Sequence, residues 1–364
     1  MVSIIGAGPS GNYLAYLLAK AGKDVDVYEE HSIVGRPVQC TGLTTSSLNK
    51  LVKIKKEFLV NKINLTRIYS PNGNFIDIKI KDNYVLDRAK FDTYLANRAI
   101  DLGANYHFNS RFISCKLGRE ILFTVKQAGN NIEEKTDYLV GADGPLSPVG
   151  KSAGLLKKRK YIVALQARVS MEYDPDIFSA WFGYGDFGWI VPETDNVARV
   201  GIVDSKNQNP NEHFKKFLNR VANGKKIIEY QSGLVPVYDR KLVTSKENVF
   251  LVGDAAGHVK KTTHGGIILG ILAAKELSKV IINGHGNYDR MWKKKIGLDI
   301  YQSNLIYNIM SRFSERDYNN LIKDFNDDKI RKILYEYERD FPTKMGFRLL
   351  LAKPTLLKYA FKLL

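Results

Sequence analysis

Short apolar runs separated by glycine turns open the chain. Residues 2–5 (Val-Ser-Ile-Ile) read as a buried strand, and residues 11–21 repeat apolar positions at helical spacing. Residues 24–28 alternate in character and stop at Glu29, completing a strand–helix–strand unit. Residues 62–80 read as short strands around the turn Pro71-Asn72-Gly73-Asn74. Phe91, Leu95, Ala99 and Leu102 then fall on one stripe of a helix over 88–103. Strand patterns return at 112–125 and 137–140. The aromatic-rich stretch 161–204 predicts a second, mainly antiparallel sheet. Residues 249–252 form another buried strand, 266–282 an apolar helix, and the chain beyond 288 is largely helical.

Segments of the two sheets interleave along the chain, so the domains are expected to be discontinuous. The pattern predicts a mixed α/β fold. A Rossmann-like nucleotide-binding domain takes residues 1–60, 85–155 and 243–300, and an antiparallel-sheet substrate domain takes 61–84 and 156–242. Residues 301–364 form a C-terminal helical region. With 364 residues, 44% of them hydrophobic, a sizeable core needs no disulfide. Two cysteines, Cys40 and Cys115, supply no cluster of metal ligands, so no metal is expected. No run of about eighteen apolar residues exists, and the chain starts on a strand without a signal-peptide pattern. A cytoplasmic protein is expected.

The net charge of +17 favours an anionic partner, although a diffusely basic, solvated surface explains the same number. An anionic membrane surface and a phosphorylated substrate both qualify. No nucleic-acid-binding module is present, so nucleic acid is not expected as a partner.

Gly6-Ala7-Gly8-Pro9-Ser10-Gly11 lies directly between the first strand and the first helix. In such a loop the first glycine makes the tight turn, the second lets backbone approach a pyrophosphate, and the third lets helix pack on strand. The helix N-terminus offers N–H donors to the phosphates. Glu29 ends the second strand, where a carboxylate accepts from ribose hydroxyls and so selects a free 2′-hydroxyl. Two later segments choose between NAD and FAD. Gly253-Asp254-Ala255-Ala256-Gly257 closes a buried strand and puts a carboxylate at the ligand edge of the sheet, suited to ribitol hydroxyls. Gly265-Gly266 and the apolar helix from Ile267 follow, with a helix N-terminus suited to charge on a reduced flavin. FAD is therefore the expected cofactor.

These segments, with others, resemble the flavoprotein class of aromatic hydroxylases and geranylgeranyl reductases. Leu86-Asp87-Arg88-Ala89-Lys90-Phe91-Asp92 is similar to its Arg-x-x-Phe-Asp helix start, and Gly141-Ala142-Asp143-Gly144 to its internal Asp-Gly motif. Within the class, three features resemble the archaeal geranylgeranyl reductase branch. They are Gly35-Arg36-Pro37-Val38-Gln39-Cys40, Phe187-Gly188-Trp189-Ile190-Val191-Pro192 with Gly201 downstream, and Trp292-Lys293-Lys294-Lys295-Ile296-Gly297. The chain departs from the branch at Phe187, where it has tyrosine, at Val191, where it has phenylalanine, and at His264, where it has glycine.

The resemblance implies roles. Ser10 and Glu29 serve the adenosine half, Arg88 the pyrophosphate or ribitol, and Ile113 the adenine through its backbone. Asp143, Asp254, Gly265, Gly266 and Ile267 join the cofactor site, and Arg36, Cys40 and Gly42 lie near the flavin ring. Cys40 and His264 are the candidate catalytic groups, since no Ser/His/Asp or paired-carboxylate set stands out. Tyr184, Phe187, Trp189 and Pro192 are the candidate substrate residues, with an ordinary sheet core as the competing reading.

The activity this implies is saturation of C=C bonds in geranylgeranyl chains of archaeal-type membrane lipid precursors. The substrate is then an isoprenoid lipid, and the electron donor a ferredoxin, a nicotinamide or a deazaflavin. A flavin monooxygenase of small aromatics, or a non-catalytic flavoprotein or lipid-binding protein, are the alternatives. Residues 346–364 carry Arg348, Lys353, Lys358 and Lys362 among leucines and phenylalanines without acids. That pattern suits a peripheral site on the inner face of a membrane, or a plain packed helix interrupted at Pro354.

Overall fold

The structure, a computed structural model, describes residues 1–118, 120–156, 158–205 and 209–363, the last by its backbone only. Leu364, the end of the expected terminal segment, lies outside the described residues. The chain divides into two compact units, each built from three stretches of sequence.

The first unit comprises Met1–Val38, Arg88–Tyr161 and Pro236–Tyr301. Its six-stranded sheet runs in the spatial order Ser245–Lys246, Val249–Leu251, Tyr138–Gly141, Val2–Ile5, Val25–Tyr28, Asn105–His107. Every pairing is parallel except that of the edge strand Ser245–Lys246. A parallel sheet is covered on both faces, which is why all of Val2–Ile5 and Val249–Leu251 is buried. The register aligns Ile5 with Gly141 and with Tyr28, and Gly141 with Leu251. The strand ends therefore deliver Gly6, Glu29, Ala142 and Val252 to one carbonyl edge. Helices Pro9–Lys20, Arg88–Ile100 and Ile267–Asn283 belong to this unit. So does a three-stranded antiparallel sheet, Ser110–Lys116, Ile121–Gln127 and Asn130–Thr136, whose Phe112, Phe123 and Val125 share a core with Tyr28 and Leu251.

The second unit comprises Gln39–Asp87, Ile162–Val235 and Gln302–Leu364. Its eight-stranded sheet runs Lys226–Pro236, Tyr161–Ser170, Val197–Asp204, Phe187–Pro192, Ile177–Trp181, Leu59–Tyr69, Phe75–Leu86, Leu43–Thr44. Ile177–Trp181 pairs in parallel with Leu59–Tyr69, and the neighbouring pairs are antiparallel, so the sheet is mainly antiparallel as expected. Helix Pro210–Ala222 covers one face through Phe214 and Phe217, which pack with Ile190, Val200 and Ile202.

Residues 39–60 cluster with this second unit, not with the nucleotide-binding unit as the boundary at 60 anticipates. The reason is local. Leu43 and Thr44 pair with Val85 and Tyr84, and the hydroxyls of Thr45, Ser46 and Ser47 all donate to the carboxylate of Glu338. The C-terminal helices join the same unit. Ile330, Leu349, Leu356 and Tyr359 form their core, while Ile322 packs on Ile76 and Ile78 of the sheet.

Candidate functional site

At the carbonyl edge of the first unit the glycine loop is forced by space. Gly6 has φ +102°, and a β-carbon there would stand 2.5 Å from the carbonyl oxygen of Ala142. A β-carbon at Gly11 would stand 2.2 Å from the Gly6 oxygen. Gly8, by contrast, faces open space, with nothing within 4 Å of such an atom. Helix Pro9–Lys20 starts at Gly8 without a capping side chain and without an acid in its first turn. An uncapped N-terminus over open space is what a pyrophosphate needs.

Glu29 sits at the end of its strand with its carboxylate already oriented. Oε2 accepts from the Ala7 N–H at 2.8 Å, and Oε1 meets the N–H and Nδ1 of His31 at 3.0 and 2.6 Å. Anchoring by the glycine loop itself ties the Glu29 carboxylate to the backbone of residues 6–11. Ile113 is the residue skipped in the register between Phe112 and Ser114, a β-bulge, and it is 44% exposed. A bulge takes a residue's backbone out of the ladder, which suits contact to adenine through the main chain.

Asp254 follows Gly253 (φ +67°) on a single helical turn, Gly253–Ala256. Burial raises the pKa of its carboxyl, while the charges of Arg88 and Arg159 pull the other way. Among the described residues no hydrogen bond reaches that carboxylate. It is an accessible acceptor, and a β-carbon at Gly266 would lie 2.9 Å from its Oδ1, so Gly266 keeps the approach clear. Gly266 also starts helix Ile267–Asn283, again with no side-chain cap, and Ile267 is its first residue. Arg88 makes two hydrogen bonds to Asp92 one turn on, at 3.2 and 2.8 Å, and so presents its charge from a fixed position. Gly35 lies against the start of the same helix, 2.8 Å from Ala89 Cα for a would-be β-carbon, and Arg36 beside it is exposed.

Two expectations change. The Asp143 carboxylate accepts from Ser147 Oγ at 2.7 Å and from the Val149 N–H at 2.9 Å, with burial pushing its pKa up to about 6. Its side chain therefore holds the turn into helix Pro148–Ser152. His264 has φ +51°, and burial with the Lys261 charge pulls its pKa down to about 3. It is a neutral imidazole at ordinary pH, able to hydrogen-bond but not to act as an imidazolium acid. Gly265 beside it is exposed, and its carbonyl accepts from the Lys260 N–H at 3.2 Å.

Several residues of this edge escape sequence reasoning. Arg159 donates to the carbonyls of Pro145, Asp254 and Ala255 at 3.2, 3.0 and 2.8 Å, stitching the Asp143 turn to the Asp254 turn. Buried His258 accepts the Gly253 N–H at 3.2 Å through Nδ1 and packs on Trp292. Lys260 is wholly buried beneath Gly265. The only signal for His258 and Lys260 is adjacency to the Gly-Asp segment; for Arg159 there is none.

In the second unit, Cys40 is half-buried and its Sγ accepts the Gly42 N–H at 3.3 Å. Gly42 (φ +69°) is buried and its carbonyl accepts from Leu86. The aromatic stretch is split by strand alternation. Phe187 and Trp189, 5.9 Å apart, take one face. Gly188 takes the other, against Phe217, and Pro192 falls on that side by the same alternation. Tyr184 also packs on Phe217, with ring centroids 5.0 Å apart. Tyr184 is thus part of the helix-side core and does not share a wall with Trp189. Among the described residues no helix is long and apolar enough to cross a membrane.

Known proteins resemble this chain in sequence and fold. The digeranylgeranylglycerophospholipid reductase of Methanosarcina acetivorans is 28% identical over 373 residues, covering 93% of this chain and 90% of that protein. The protein of the same name from Methanocaldococcus jannaschii is 28% identical, with coverage of 98% and 96%. Among solved structures, a geranylgeranyl bacteriochlorophyll reductase-like protein from Thermoplasma acidophilum superposes with a TM-score of 0.87. It shares 22% identity and covers 100% of this chain and 98% of that one, a likeness of fold. Residues 1–286, well over half of the sequence, match the FAD-binding domain family, and to that family this chain belongs.

Proposed function

We propose that the protein is an FAD-dependent reductase that saturates C=C bonds in the geranylgeranyl chains of membrane lipid precursors. One observation carries the reading: curated relatives named for that activity match nine-tenths or more of this chain and about nine-tenths or more of their own. The site supports it. The Gly8 space and the uncapped helix at Pro9 suit the pyrophosphate, Glu29 the ribose, and Asp254 the ribitol hydroxyls.

When bound and reduced, FAD supplies hydride to one carbon of the alkene. The protein's part is to position and to protonate. The uncapped N-terminus of helix Ile267–Asn283 would stabilise negative charge on the reduced flavin. The second carbon needs a proton, and we assign its delivery to the Cys40 thiol; His264, held neutral, serves as a hydrogen-bonding group. Trp189 and Phe187 offer an apolar face to the isoprenoid, whose burial stabilises by about 0.8 kcal/mol per methylene. The lipid's source is a membrane surface. On helix Pro342–Ala352 the exposed residues Lys344, Phe347, Arg348 and Leu351 recur at helical spacing, a basic and apolar stripe suited to anionic lipid.

Chemically reduced protein incubated without oxygen with a geranylgeranyl glycerolipid should yield lipid heavier by two hydrogens per bond, read by mass spectrometry. Unchanged lipid, with oxygen-dependent hydroxylation of a small aromatic instead, would overturn the proposal.

A further inference from the structure

Gln166, Gly201 and Trp189 lie abreast on three neighbouring strands, Gln166 opposite Gly201 and Gly201 opposite Trp189. The indole crosses over Gly201 so closely that a β-carbon there would stand 2.4 Å from its Cζ2. The missing side chain lets Trp189 Nε1 reach Gln166 Oε1 at 3.1 Å. An indole N–H only donates, so the amide atom it meets is the oxygen. The same oxygen accepts from Thr41 Oγ1 at 2.7 Å, and the amide nitrogen donates to Gln231 Oε1 at 2.6 Å. Gln166 is 5% exposed, so these bonds form where water does not compete.

Thr41 is the residue after Cys40, and the loop has further moorings. Arg199, buried and paired with Glu193 at 2.6 Å, donates to the Thr41 carbonyl. Glu193 is held in turn by Arg168 at 2.9 and 2.7 Å. On the other side of Cys40, the Gln39 carbonyl lies 3.0 Å from where a β-carbon of Gly233 would be. The thiol therefore sits in a loop tied to the sheet by hydrogen bonds at Thr41 and lying close against Gly233 at Gln39.

We propose that Gln166 is a positioning residue: through the Thr41 hydroxyl it holds the 39–42 loop, and with it the Cys40 thiol, while the Trp189 N–H locks the amide in place. The catalytic consequence rests on the reading of Cys40 as proton donor given above. The role of Trp189 then extends beyond lining an apolar face. Its N–H and the emptiness at Gly201 serve the loop that carries the thiol.

The test uses the full-length, FAD-loaded protein in a C115S background, so that Cys40 alone reacts. The rate of Cys40 alkylation by N-ethylmaleimide is followed by mass spectrometry in Q166L, T41V and W189F. Each should speed alkylation, on the order of tenfold for loss of a buried hydrogen bond. The Q166L/T41V pair should be no faster than either alone. T41S, which keeps the hydroxyl that donates to Gln166, should keep the parent rate. In turnover, Q166L should lower kcat and leave KM near the parent value, whereas a mere lipid-wall role for Trp189 would raise KM in W189F. T41V and W189F each remove a single donor and keep the test decisive should Q166L fold poorly. Unchanged alkylation in T41V and W189F would overturn the proposal. Alkylation needs no turnover, so a parent protein that fails to reduce alkenes would sink the activity reading and leave this result standing.

Discussion

The hydroxyl of Ser10 rests so close to Gly270 that a β-carbon at position 270 would lie 2.2 Å from its oxygen. Position 270 is inside helix Ile267–Asn283, where alanine normally stabilises relative to glycine by about 1 kcal/mol. Here the sign reverses. Gly270→Ala should destabilise by about 1–3 kcal/mol, the usual cost of overpacking. Combining it with Ser10→Ala, which removes the clashing oxygen, should recover most of the loss in a urea titration.

Asp254 should separate stability from cofactor binding. Its carboxylate is buried enough to have a raised pKa and receives no hydrogen bond among the described residues. Asp254→Asn should therefore leave the protein without FAD as stable or more stable, by thermal melting. The same change should weaken FAD about ten- to hundredfold, the worth of a hydrogen bond to a charged group. Equal affinity, by flavin fluorescence, would show that the carboxylate does not hold the cofactor.

Acid should unfold the protein through two histidines. Burial, aided by Arg159 at His258 and by Lys261 at His264, pulls both pKa values from 6.5 to about 3. Below about pH 6.5 the unfolded chain takes up protons that the folded chain refuses, so stability is full above that value and lost as pH falls towards 3. Asp143, raised from 3.8 to about 6, works in the opposite direction between those values. For these three groups the balance is a loss of about 2–3 kcal/mol between pH 7 and pH 5, trimmed by Asp254 and Asp186, which burial also raises. His258→Asn, which can still accept the Gly253 N–H, should remove most of it.

Position 264 tests a backbone argument. A φ of +51° costs a histidine about 1 kcal/mol and a β-branched residue more. His264→Gly should stay within about 1 kcal/mol of the parent, since the strain it relieves is offset by entropy. His264→Val should lose about 1–3 kcal/mol. Retained FAD with abolished turnover in His264→Gly would make the imidazole a catalytic group after all.

Phe347 is 64% exposed and Leu351 60% exposed on helix Pro342–Ala352, on one stripe with Lys344 and Arg348. Changing both apolar residues to serine should reduce sedimentation with phosphatidylglycerol vesicles about tenfold or more, since each buried side chain is worth about 1.5–3 kcal/mol. Activity on detergent-dispersed lipid should be retained.

The parts of this site that were legible in the sequence are those made of backbone. Gly6 and Gly11 announce themselves because only glycine fits the turn and the close contacts that the structure contains. Asp254 was legible because a buried strand led into it. The split of the aromatic stretch was half-legible: alternation along 187–192 separates Trp189 from Gly188, but Tyr184 lies in a turn where no period applies. The placement of residues 39–60 was hidden because Leu43–Thr44 is too short to carry a pattern and is fixed by distant Val85 and Tyr84, as Thr45–Ser47 is by Glu338. Arg159 and Gln166 were illegible for the same reason. Their roles come wholly from partners far away in sequence.

The most direct test follows the colour of the bound flavin. Protein reduced under strict anaerobiosis is mixed with a geranylgeranyl glycerolipid, and the oxidised-flavin absorbance is recorded. Reduction of the alkene at this site predicts that the yellow band returns without oxygen, one flavin oxidised for each double bond lost. A band that stays bleached until air is admitted would contradict the account.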